Sequence, residues 1–120
     1  MGKRVLIVDD SYGDRLVLRD ALVSIGYQVV GEAKNLQESL EKYESIKPDI
    51  VIMDAAIPDD DGVSAVKKLL RLDLNANILM CVSRGQRALA MEALQVGAKD
   101  FITKPINVRQ LMRVLNQLRQ

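Results

Sequence analysis

The sequence predicts an α/β domain built on a five-stranded parallel sheet. Two observations carry that expectation. Short β-branched, apolar runs alternate five times with amphipathic stretches, and residues suited to chemistry stand at the ends of three of those runs. Asp9 and Asp10 follow Val5-Leu6-Ile7-Val8, Asp54 follows Ile50-Val51-Ile52-Met53, and Lys104 follows Phe101-Ile102-Thr103. The C-terminal ends of parallel strands share one edge, so these four side chains are expected to meet there.

Taken in order, the first strand is placed at 4–9, and Leu18, Leu22 and Ile25 behind it repeat at helical spacing. A second strand at 27–32 precedes Leu36, Leu40 and Tyr43, and a third at 49–54 precedes Val66, Leu69 and Leu70. The fourth, at 77–83, is followed by Ala90, Ala93 and Leu94. The fifth, at 100–103, is followed by Leu111, Val114, Leu115 and Leu118. Gly26, Pro48 and Gly97 punctuate helix ends or the turns after them. Strands one and three are the most continuously apolar, as central strands buried on both faces should be. That favours a flavodoxin-like (βα)5 three-layer sandwich of strand order 2-1-3-4-5, with Asp9, Asp10 and Asp54 lining a crevice between strands one and three.

With 120 residues, the chain suffices for one domain over 1–120 and leaves no room for a second. Its start at Met1 and the close of the last helix at Gln120 point to a stand-alone protein. A net charge of +1 with scattered basic residues gives no basis for direct nucleic-acid binding. The apolar runs fall short of the roughly 20 residues a membrane span needs, so no membrane insertion and a cytoplasmic location are expected. The single cysteine, Cys81, lies within an apolar run and reads as a small buried hydrophobe.

Three carboxylates drawn together repel one another by about 1 kcal/mol or more per pair even in polar surroundings. A cation must offset them. The sequence contains no histidine, so a hard divalent ion with oxygen ligands, Mg²⁺ by preference, is the natural candidate. With Lys104 as a second positive charge, the arrangement suits phosphoryl transfer to Asp54 as the nucleophile. A structural alternative has the acids merely capping the helices that follow.

These motifs, together with Pro48-Asp49, Ile57-Pro58-Asp59-Asp60-Asp61-Gly62 and Gly97-Ala98-Lys99-Asp100-Phe101-Ile102-Thr103-Lys104-Pro105, give a chain that closely resembles the receiver domain of two-component response regulators, in particular the CheY-like single-domain family. The resemblance implies that Asp54 accepts a phosphoryl group from a histidine kinase. It implies that Asp10 and Asp54 ligate Mg²⁺ directly, that Asp9 acts largely through bound water, and that the backbone carbonyl of Ala56 completes the protein ligands. Lys104 would pair with phosphoryl oxygens across a cis Lys104–Pro105 bond, and Phe101 would be an aromatic switch, the alternative being a plain core aromatic. Gly62 would serve a turn. The output would be altered binding of a downstream protein through the helix 4, strand 5 and helix 5 face, in a monomer or a weak phosphorylation-dependent dimer. The domain's own chemistry would be limited to gaining and losing phosphate.

One position departs from the family pattern. Receivers carry Thr or Ser at the end of the fourth strand, and counting back about 22 residues from Lys104, in the spacing that serves the phosphoryl site, reaches Val82, which has no hydroxyl. Either Val82 fills that place with a methyl group, weakening the conformational output, or a bulge brings Ser83 to the phosphoryl group. Arg84 would be a phosphate contact or a solvated charge, and Tyr12, Gly13 and Asp14 would brush the site. A degenerate receiver whose output is decoupled from phosphorylation is the competing function. An aspartyl phosphatase of the haloacid dehalogenase type would need Asp-x-Asp after strand one, where this chain has adjacent aspartates.

Overall fold

The computed structural model describes residues 2–118. Met1, Arg119 and Gln120, and with them the expected helix closure at Gln120, lie outside the described residues. The elements are β1 Arg4–Val8, α1 Tyr12–Ser24, β2 Gln28–Ala33, α2 Leu36–Ile46, β3 Ile50–Asp54, α3 Gly62–Leu72, β4 Ile78–Val82, α4 Arg87–Gln95, β5 Asp100–Thr103 and α5 Val108–Leu118. Between β3 and α3 a small antiparallel hairpin pairs Ala56–Ile57 with Asp60–Asp61.

The five strands form one parallel sheet in the order β2-β1-β3-β4-β5, as the apolar pattern predicts. Successive side chains point to opposite faces and bury two cores. On one face Val5, Ile7, Ile52, Leu79, Cys81 and Ile102 pack with Leu18 and Leu22 of α1 and Leu111 and Leu115 of α5. On the other, Leu6, Val8, Val51, Met53, Met80 and Val82 pack with residues of α2, α3 and α4. The three layers follow from that alternation.

Short polar side chains cap the starts of α1, α2 and α3. Ser11, Asn35 and Asp61 accept from the backbone N–H groups of Asp14, Glu38 and Ser64 at 3.2, 2.8 and 2.8 Å. A longer-range cap comes from Asp59, whose carboxylate accepts from the Leu36 and Gln37 N–H groups at 2.8 and 3.1 Å and ties the β3–α3 connection to α2.

Strand ends differ from the sequence expectation where local bonds compete with the ladder. β2 begins at Gln28 rather than 27, because the Tyr27 N–H turns back to the Leu22 carbonyl at 2.9 Å. β4 stops at Val82 rather than 83, because the Ser83 N–H is taken by the Gln86 side-chain carbonyl at 2.8 Å, while the Gln86 N–H donates to the Ser83 carbonyl at 3.0 Å. β4 pairs with β3 and with β5 without a shift in register, whereas β1 and β2 slip by one residue between Val5 and Leu6.

Gly62 corrects the expectation that it serves a turn. It opens α3 without a positive φ, and what it needs is space: a Cβ there would lie 2.8 Å from the Ala55 carbonyl oxygen and 3.0 Å from Met80 Cε. Gly62→Ala should therefore cost about 1–3 kcal/mol of stability by overpacking. Urea unfolding would measure this, and an unchanged midpoint would show that the Ala55 backbone gives way freely.

Candidate functional site

Asp9 stands just beyond β1, where its N–H donates to the Ala33 carbonyl at 3.0 Å and so continues the ladder. Its carboxylate is buried and accepts from the Ser11 N–H at 2.9 Å, while its own carbonyl accepts from Arg15 Nη1 at 2.8 Å. Arg15 is in turn held by Glu32 of β2 at 3.0 Å. These bonds fix Asp9 in place. Asp10 is exposed.

Asp54 is the last residue of β3 and is buried, with Oδ1 accepting from the Ala56 N–H at 3.2 Å. Its other oxygen lies 3.2 Å from Lys104 Nζ. Lys104 leaves the end of β5 with its N–H on the Val82 carbonyl at 2.8 Å, and the Lys104–Pro105 peptide is cis. Oxygens of Asp9, Asp10 and Asp54 all lie within 4.8 Å of one another. Three hard oxygen donors with a net negative charge are the ligand set that Mg²⁺ or Ca²⁺ takes.

Burial raises the Asp54 pKa above the ordinary aspartate value, the Ala56 N–H pulls it down, the Asp9 charge raises it again, and Lys104 opposes the rise. For Lys104 burial works against the charge, but the carboxylates of Asp14, Asp9 and Asp54 outweigh it and hold its pKa above the usual lysine range. Burial pushes the nearby Cys81 thiol up to about 12, so it is protonated and inert at neutral pH.

Val82 is 1% exposed and shares a core face with half-buried Phe101, over whose ring the Arg87 guanidinium lies at 5.7 Å. Ser83 lies beyond the strand in the turn to α4. Arg84 is exposed and lines an open groove with Arg109 and Arg113 beside Lys104. Ala56 is exposed in the hairpin, and Tyr12 is 70% exposed, with Arg15 over its ring. Sequence reasoning gave Asp14 no specific contact. It sits 2.8 Å from Lys104, and its place in the first turn of α1, four residues after Asp10, was the available signal.

Residues 5–116 match the family described as the response regulator receiver domain. The chain is 47% identical over 118 residues to the chemotaxis protein CheY of Thermotoga maritima, covering 98% of each chain, and 41% identical over 117 residues to that of Bacillus subtilis, again covering 98% of each. Its fold is similar to a chain in the CheX–CheY–BeF3–Mg²⁺ complex from Borrelia burgdorferi, with a TM-score of 0.90 and 29% identity over 98% of this chain and 89% of that one.

Proposed function

Since the chain belongs to the response regulator receiver domain family, we propose that it is a phosphoacceptor switch in which Asp54 takes a phosphoryl group from the phosphohistidine of a histidine kinase. The observation that carries this reading is the Asp54 carboxylate, buried, 3.2 Å from Lys104 and converging with Asp9 and Asp10 within 4.8 Å. A carboxylate oxygen of Asp54 attacks phosphorus, the P–N bond to the donor imidazole breaks, and its electron pair leaves with the imidazole, which is neutralised by a proton. The Lys104 ammonium offsets the charge gathering on the phosphoryl oxygens without having to reorganise. Asp10 and Asp54, with the Ala56 carbonyl and with Asp9 through water, would hold Mg²⁺, which when bound neutralises phosphoryl charge.

Phosphorylation then biases the face formed by α4, β5 and α5 toward a downstream protein partner, as an added dianion does when it shifts a bistable element. A chemotaxis-type output fits the two CheY relatives. A cytoplasmic site of action is consistent with the absence, among the described residues, of any helix long and apolar enough to cross a membrane. Intact-mass analysis after incubation with a small-molecule phosphodonor tests the reading: an adduct that requires Mg²⁺ supports it. No adduct in a sample that binds Mg²⁺ and also fails with kinase phosphodonors would refute it in favour of a phosphate-independent interaction module.

Val82 favours a second reading, in which phosphate is accepted but its effect on the surface is weak. With no hydroxyl at the end of β4, the phosphoryl group lacks a neutral donor on the core face that Phe101 shares. Val82→Thr should restore that bond, worth roughly 1.5–3 kcal/mol to a charged group, and raise the active-to-inactive ratio about ten- to a hundredfold in the beryllofluoride-bound protein. Ring resonances of Phe101 report that ratio, and unaltered resonances would remove Val82 as a cause of decoupling.

A further inference from the structure

Resting on the phosphoacceptor reading above, we propose that Asp14 is a positioning residue that holds Lys104 in the resting state and restrains phosphorylation of Asp54. An ammonium group has three N–H donors. Here each goes to a different carboxylate: Asp14 at 2.8 Å, Asp9 at 3.0 Å and Asp54 at 3.2 Å. Lys104 is fully committed before any phosphoryl group arrives, and its shortest contact is to the one acid of the three that is not in the converging group of Asp9, Asp10 and Asp54.

A phosphoryl group on Asp54 can inherit the donor that already points to Asp54, the longest of the three contacts, but for Lys104 to close on it one of the other two pairs has to lengthen or yield. Asp9 is poorly placed to do so, because its side chain is only 8% exposed and its other oxygen is bound by the Ser11 N–H. The Asp14 side chain is 48% exposed and can be hydrated when released. Its backbone is pinned by the Ser11 hydroxyl at the start of α1, which keeps the carboxylate within reach of Lys104. Asp14 therefore acts in two ways in the same direction: it competes with the phosphoryl oxygens for Lys104, and it adds a negative charge close to where a dianion must form.

The test is calorimetric titration with beryllofluoride, a phosphoryl mimic, at saturating Mg²⁺. Asp14→Asn keeps size and polarity but removes the charge, and an ion pair this exposed corresponds to a gain in beryllofluoride affinity of about three- to fivefold over wild type. The gain should shrink as NaCl is raised, since a half-exposed charge is screened. Loss of a favourable acid at the N-terminus of α1 would move the melting temperature without moving beryllofluoride affinity. Equal or weaker binding by Asp14→Asn, or a gain indifferent to salt, would overturn the role of Asp14 while leaving the phosphoacceptor reading intact. Failure of both proteins to bind beryllofluoride would overturn both.

Discussion

Asp54→Asn is expected to abolish Mg²⁺-dependent phosphoryl incorporation and yet leave the resting fold at least as stable as wild type at neutral pH. The first effect follows from chemistry: a carboxamide oxygen is a poor nucleophile at phosphorus, and one of the three converging anionic ligands is lost. The second follows from the raised pKa of Asp54, whose burial disfavours the ionised form. A carboxyl group with a folded pKa above its unfolded value binds more protons in the folded state, so stability falls as pH rises from the ordinary value of 3.8 through the raised one. At neutral pH the ionised group is a burden on the fold, and asparagine removes it while keeping an acceptor for the Ala56 N–H. Urea unfolding across pH, in chelator, is the measurement. Wild type should lose stability over that acid window relative to the variant. A variant clearly less stable than wild type at neutral pH would mean that attraction to Lys104 outweighs burial.

The strand order and the meeting of Asp9, Asp10, Asp54 and Lys104 were legible because both depend on a repeating signal. Continuous apolar runs mark the strands buried on both faces as central, and the parallel sheet carries every strand end to one edge. What the pattern could not reveal depends on where single side chains reach after packing. Asp59 caps α2 from 23 residues away. Gly62 is required by the Ala55 carbonyl and Met80, not by a turn. The end of β4 is set by the Gln86 side chain bonding Ser83, a local competition that β-branched runs do not encode. Asp14 is the most consequential such case, since its place in the first turn of α1 puts it near the site but does not single out a lysine 90 residues away.

Lys104→Ala should produce effects of opposite sign on metal binding and on phosphoryl transfer, which separates the charge of this residue from its place in the fold. Its ammonium is the one cation paired with Asp9, Asp14 and Asp54 among the described residues, and its side chain is only 18% exposed. Its pKa lies above the ordinary 10.5, so the stability it contributes is fully present below that value and is lost only in stronger alkali. Removal leaves two buried carboxylates without their partner, which for a site still reached by water should cost about 2–3 kcal/mol in the metal-free protein. Mg²⁺ should recover much of that loss, and with a positive charge gone from its vicinity it should bind about five- to tenfold more tightly, as roughly 1 kcal/mol of relieved repulsion at a few ångströms implies. Phosphoryl incorporation at saturating Mg²⁺ should nevertheless slow by about a hundredfold or more, because a preorganised charge facing the transferring group has been removed. Calorimetry for Mg²⁺, melting with and without the ion, and intact-mass time courses give the three readings. Weaker Mg²⁺ binding would mean that Lys104 acts chiefly by ordering the carboxylates. An unchanged rate would mean that the dication alone supplies the electrostatic stabilisation, leaving the lysine no part in the transfer itself.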